Sequence, residues 1–91
     1  MPERPKISDK QIRQEMINLN TALLIRLAEK GKGSFASSHE ILGIITEEYQ
    51  ELIEAIHSNS GSINVVKELE DIAVACVFAC ACIKNDKLDW L

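Results

Sequence analysis

Four carboxylates stand in two pairs of equal spacing: Glu48 with Glu51, and Glu68 with Asp71. On a helix, residues three apart share a face, so each pair sets two oxygen donors side by side. Four acids brought together repel one another unless cations sit between them. Hard oxygen ligands without cysteine or histidine suit Mg2+, with Mn2+ as an alternative. These acids belong to a wider acidic stretch. From Glu40 to Asp71 the chain has eight acids and one base, Lys67, for a net charge of −7. The remainder carries +3, and the whole chain −4.

The spacing of apolar residues separates these acids. With Ile41 at zero and about 100° per residue, Ile41, Leu42, Ile45, Tyr49, Leu52, Ile53 and Ile56 fill an arc to about 120°. Ile44 and Ala55 extend it back to about 300°. Glu48 falls inside this arc, at about 340°, and Glu51 on its border, at about 280°. Glu47 and Glu54 fall on the polar side. An ionised carboxylate in an apolar stripe is costly unless paired or bound to metal. On the next helix, the face of Glu68 and Asp71 continues through Ala75, Phe78, Ala79 and Cys82. Antiparallel packing through a short hinge would bring the two pairs together.

The elements that must do this are three helices. The first is expected from about Ser8 to Lys30, with Ile12, Met16, Leu19, Leu23 and Leu27 as its stripe. Ile17, Leu24 and Ala28 widen the stripe, and Ile25 lies outside it. Gly31-Lys32-Gly33-Ser34 stops it. The second starts near Ser37 or Ser38, where Ser37 and Glu40 make a capping-box pattern, and runs to about His57. Ser58–Ser62 is a polar hinge. The third covers roughly 63–84, and residues 85–91 form a tail. Residues 1–7 read as an N-terminal arm of a single domain, 1–91. No strand alternation, repeat or low-complexity tract is present.

The run from Ile72 to Ile83 has no polar face. A helix that is apolar all round must be buried all round, and two other helices cannot cover it. The expectation is all-α: short helical hairpins assembled into an oligomeric four-helix-bundle architecture. A homo-oligomer follows. At 91 residues the chain is near the low end of what folds alone.

With these residues in view, the chain resembles the MazG-like all-alpha nucleoside-triphosphate pyrophosphatases. Glu47-Glu48-Tyr49-Gln50-Glu51, followed by Glu68-Leu69-Glu70-Asp71, matches that family's EExxE and ExxD pair. The preceding Ile41-Leu42-Gly43-Ile44-Ile45-Thr46 is similar to its apolar lead-in. The likeness spans roughly residues 12–83. Either half-motif alone is common on solvated helices. Both halves, across a short polar hinge and before an apolar helix, are more specific. The resemblance implies hydrolysis of a nucleoside triphosphate between its alpha and beta phosphates, releasing monophosphate and pyrophosphate. It implies Glu48, Glu51, Glu68 and Asp71 as magnesium ligands, and a water-activating or supporting role for Glu47. House-cleaning of non-standard nucleotides is one expected use, and the family's four-helix core implies a tetramer (a dimer of dimers) in preference to a dimer. Lys84 and Lys87 stand where family members often carry a basic phosphate-binding residue. Lys32, or Lys30, is a further phosphate contact, and Asn20 a group for hydrogen-bonding a base.

Blander readings stand beside these. Asn20 lies in the first helix's apolar arc and reads equally as a satisfied core asparagine. Cys76, Cys80 and Cys82 lack zinc spacing and read as small core residues. Gly31–Ser34 lacks the pattern of a phosphate loop. Glu54 and His57 form an ExxH pattern of the kind di-iron bundles use, so a small ferritin-like protein is one rival. A non-enzymatic helical oligomerisation or regulatory module is another.

The acidic balance argues against a nucleic-acid binder and against a basic membrane-surface helix. The start has no apolar stretch behind it, so no signal peptide is expected. Three cysteines clustered on one segment are no disulfide framework, and a cytoplasmic location is the default expectation.

Overall fold

The structure is a computed structural model describing residues 3–91; Met1 and Pro2 of the expected arm lie outside the described residues. Three helices follow in order: α1 (Asp9–Lys30), α2 (Ser38–His57) and α3 (Ser62–Lys84). Among the described residues there is no strand, only an isolated bridge between Ser37 and Trp90. No helix among them is long and apolar enough to cross a membrane.

Local chemistry sets each helix end. Ser8 lies just outside α1 as its cap: its hydroxyl accepts from the Gln11 N–H at 3.1 Å, and the Gln11 side chain accepts from the Ser8 N–H at 2.9 Å. Gly31, at φ 80°, takes the backbone out of α1 in a region that side chains avoid. Ser37 caps α2 by accepting from the Glu40 N–H. The reciprocal half of the expected box is shifted: the Glu40 carboxylate accepts from the Ala36 N–H at 3.1 Å. The carbonyl of the same Ala36 accepts from Asp89 and Trp90, which fastens the tail beside the start of α2. The Trp90 ring rests 5.1 Å from that of His39.

α2 and α3 form an antiparallel hairpin through the short loop 58–61, packed along one another. Asn59 at φ 58° and Gly61 at φ 98° make the reversal. α3 is central. Its buried residues are Val74, Ala79 and Cys82, α2 packs along it, and α1 docks on it more sparsely. Phe35, from the α1–α2 connection, meets Phe78 edge-on with ring centroids 5.5 Å apart.

The buried arcs differ from expectation in an instructive way. On α2 the half-buried residues are Ile41, Ile44, Ile45, Glu48, Leu52, Ile53 and Ala55, whereas Leu42, Tyr49 and Ile56 are exposed. The inward face is therefore centred near Glu48, and one flank of the apolar arc is left over. On α1, residues 3–18 are all exposed, and burial begins at Leu19. Asn20 is exposed as well, which corrects its reading as a core residue: Leu19, Ala22 and Leu23 around it are half-buried, and Asn20 stands on the other face of α1. Of the cysteines only Cys82 is buried; Cys76 and Cys80 stand on the uncovered face of α3.

Candidate metal centre

The hairpin register sets α2's third and fourth turns beside α3's second and third turns. One carboxylate oxygen from each of Glu48, Glu51, Glu68 and Asp71 lies within 4.8 Å of the others. Glu48 arrives because the packed face of α2 passes through it, and Glu51 follows one turn on. Glu68 and Asp71 arrive because α3's inward face begins with them and continues into Val74, Ala75 and Phe78.

The four are not equally satisfied. Asp71, with its side chain 13% exposed, receives Arg26 Nη2 on Oδ1 at 2.7 Å and Lys67 Nζ on Oδ2 at 3.1 Å. Oε2 of Glu48 and Oε2 of Glu68 are buried and have no hydrogen-bond partner. Such oxygens are costly to leave bare. Burial holds the Glu48 carboxyl above its ordinary range, and the charges of Glu51, Asp71 and Glu68 add to this; Arg26 opposes them. Glu68 is pushed up by burial first, then by the adjacent Glu51 carboxyl, while Lys67 opposes. The hydrogen bond to Asp71 raises the Lys67 ammonium in turn.

The residues fit a divalent cation on charge as well as on donor type. Four carboxylates facing Arg26 and Lys67 leave an excess of two negative charges. Two buried oxygens, one from each helix of the hairpin, have no donor. All-oxygen ligands of this kind are what Mg2+ and Mn2+ take.

Beside the cluster lies a cavity of about 200 Å3 between α1 and the hairpin. Its charged lining comes from Arg26 and Lys30 of α1 and from Glu48 and Asp71 of the hairpin. The rest is apolar, formed by Leu23, Leu27, Phe35, Ile44, Val74, Ala75 and Phe78.

Other expected site residues lie elsewhere. Glu47 is exposed and outside the cluster, so its expected part in water activation finds no support in that placement. Lys32 is exposed and does not line the cavity, although Gly31 and Gly33 on either side of it do. Lys84 and Lys87 are exposed near the far end of α3. Thirteen helical residues put Lys84 about 20 Å along the axis from Asp71. Asn20 does not line the cavity. Glu54 and His57 are exposed and take no part in the cluster.

Arg26 is the functional residue that the sequence reading missed. Its signal was the one that marked Glu48: a charged residue on an apolar stripe, three after Leu23 and seven after Leu19. Compared with protein-family models, curated proteins and solved structures, the chain matches none of them.

Proposed function

We propose that this protein is a Mg2+-dependent nucleoside-triphosphate pyrophosphohydrolase of the MazG-like kind. One observation carries the reading. Two i,i+3 carboxylate pairs from consecutive helices converge within 4.8 Å, with a buried, donorless oxygen from each helix. The cavity beside them, lined by cationic, acidic and apolar residues, supports a substrate that joins polyphosphate to a flat apolar group.

In this reading Glu48, Glu51, Glu68 and Asp71 hold Mg2+, with Mn2+ as a substitute. The bound cation supplies charge neutralisation for the phosphate oxygens and a polarised water. The chain does the rest. The hairpin holds four like charges at fixed positions, so little reorganisation is needed when cation and substrate arrive. Arg26 and Lys30 offer donors from α1. Leu23, Phe35, Val74 and Phe78 exclude water and give a base an apolar surface.

The same reading includes self-association, with a dimer of dimers as the favoured form. The radius of gyration is 15.5 Å, against about 12 Å for a compact domain of this length. Large apolar residues are exposed on all three helices, among them Ile12, Met16 and Leu24 on α1, Leu42 and Tyr49 on α2, and Val77 and Ile83 on α3. Surfaces of that kind mark interaction sites. Sedimentation at micromolar concentration tests this part, and a monomer there removes it.

The experiment for the activity is a panel of standard and modified nucleoside triphosphates, with and without Mg2+, read by pyrophosphate release. Release that requires Mg2+ is expected, and Glu48→Gln and Asp71→Asn each abolish it while circular dichroism shows the helices intact. Turnover that survives both substitutions, or none on any nucleotide, defeats the assignment.

A further inference from the structure

We propose that Arg26 is an exchangeable counter-ion: it holds Asp71 while no divalent cation is bound, and passes to the substrate's phosphate oxygens when one is. The inference rests on the metal reading above and adds a residue and a change of partner to it.

Arg26 comes from α1, whereas all four acids come from the hairpin. Its Nη2 lies 2.7 Å from Asp71 Oδ1. Asp71 also offers one oxygen to the group of four that clusters within 4.8 Å. A guanidinium and a divalent cation therefore compete for one carboxylate. Asp71 survives the loss of Arg26 without being orphaned, because Lys67 Nζ holds its other oxygen at 3.1 Å. The Arg26 side chain is 31% exposed, and it borders the cavity together with Glu48 and Asp71. Lys30, one turn further along α1, borders the same cavity. A released guanidinium thus meets a space that already has a second cation beside it. Planar, forked donors suit phosphate oxygens as well as carboxylates. Placing the cation on α1 also separates two tasks. The hairpin keeps the acids in register, and the more sparsely docked helix carries the group that changes partner.

The proposal predicts changes of opposite sign from one substitution. Mn2+ binding to the parent and to Arg26→Gln is followed by the paramagnetic resonance of free Mn2+. Pyrophosphate, presented as its Mn2+ complex to Mn2+-saturated protein, is followed by calorimetry. Arg26→Gln is expected to bind Mn2+ about tenfold more tightly, the scale on which one neighbouring charge shifts a proton equilibrium. It is expected to bind the pyrophosphate complex about tenfold more weakly, as one lost charged donor costs. A merely structural Arg26 would weaken both. Arg26→Lys keeps the charge and serves where Arg26→Gln fails to fold: its Mn2+ affinity stays near the parent's, and its pyrophosphate affinity falls with the loss of the fork. Mn2+ affinity that is unchanged or weakened in Arg26→Gln overturns the exchange and leaves the metal reading standing. A parent that binds no Mn2+ removes both.

Discussion

α1 and α2 lie against the same helix, yet they are held to α3 by different means. α2 is joined to it by residues 58–61 and packs along its length, with Ile41, Ile44, Ile45, Leu52 and Ile53 half-buried. α1 touches it only from Leu19 onward. The electrostatics run the other way. α2 brings Glu48 and Glu51 against Glu68 and Asp71, so its charges oppose the packing. α1 brings Arg26 to Asp71, so its charge supports a weaker dock. Mutually repelling groups are thus assigned to the element that a short loop and apolar burial can hold in place. The attractive partner sits on the more sparsely docked element.

The strongest test of this contrast is a divalent cation. If the hairpin stores repulsion, Mg2+ relieves it. A protein held at one hundred times its dissociation constant for a ligand gains about 2.7 kcal/mol, visible as a rise in Tm. Glu48→Gln should lose that gain. In the absence of Mg2+ it should melt no lower than the parent, because one of four like charges is gone. An equal Mg2+ shift in both proteins places the cation somewhere other than this cluster.

Next in size is the apolar contact itself. Val74 is 6% exposed and forms part of the cavity wall between α1 and the hairpin. Val74→Ala removes two buried methyl groups and should cost about 2 kcal/mol. Ile12, on the part of α1 with nothing against it, is 48% exposed. Ile12→Ala should stay within about 0.5 kcal/mol for an isolated chain. A cost at Ile12 that approaches that at Val74, and grows with protein concentration, shows that another copy covers this end of α1.

Much of this was legible in the sequence, and what was not has physical causes. Helix ends were readable because Ser8, Gly31, Ser37 and Gly61 act through local backbone chemistry. The convergence of the four acids was readable because i,i+3 spacing and a short loop leave few arrangements open. Glu48 stood out as a charge on an apolar stripe. Arg26 carried that same signal and went unread, because its meaning depends on which part of α1 docks. Periodicity alone does not say that only the second half of α1 is covered. Nor does it fix the edge of the covered face, and Asn20 lies beyond that edge, beside half-buried Leu19 and Leu23. Lys84 and Lys87 were placed by likeness to a family, and chain geometry sets them far from Asp71.

The pH dependence sharpens the electrostatic half of the contrast. Glu48 and Glu68 have folded-state values above the ordinary 4.5. Between 4.5 and those raised values the native chain binds more protons than the unfolded one, so stability falls as pH rises through that window. Their contribution is fully present below 4.5 and lost above the raised values. Without divalent cations, lowering the pH through that window toward 4.5 should therefore raise Tm, against the usual direction of acid denaturation. Saturating Mg2+ should flatten or invert the trend, because bound cations need ionised carboxylates. Glu48→Gln should reduce the slope. A parent slope identical to that of Glu48→Gln would show that this carboxyl titrates normally.

The smallest effects come from the two helix caps, and they separate α1 from α2 once more. Ser37 is 5% exposed and sits where the tail bridges to the start of α2. Losing its hydroxyl leaves the Glu40 N–H without its acceptor in a covered place. Ser37→Ala should cost about 1 kcal/mol of global stability. Ser8 makes the more complete cap, with both halves of its box formed, yet it caps a stretch that is exposed throughout. The first turns of α1 can open without uncovering Val74, so their fraying is not coupled to global unfolding. Ser8→Ala should leave Tm nearly unchanged and instead speed amide hydrogen exchange in the first turns of α1. A full cap penalty in Tm at Ser8 would mean that this end of α1 is packed in solution, and so that a second copy supplies what α3 does not.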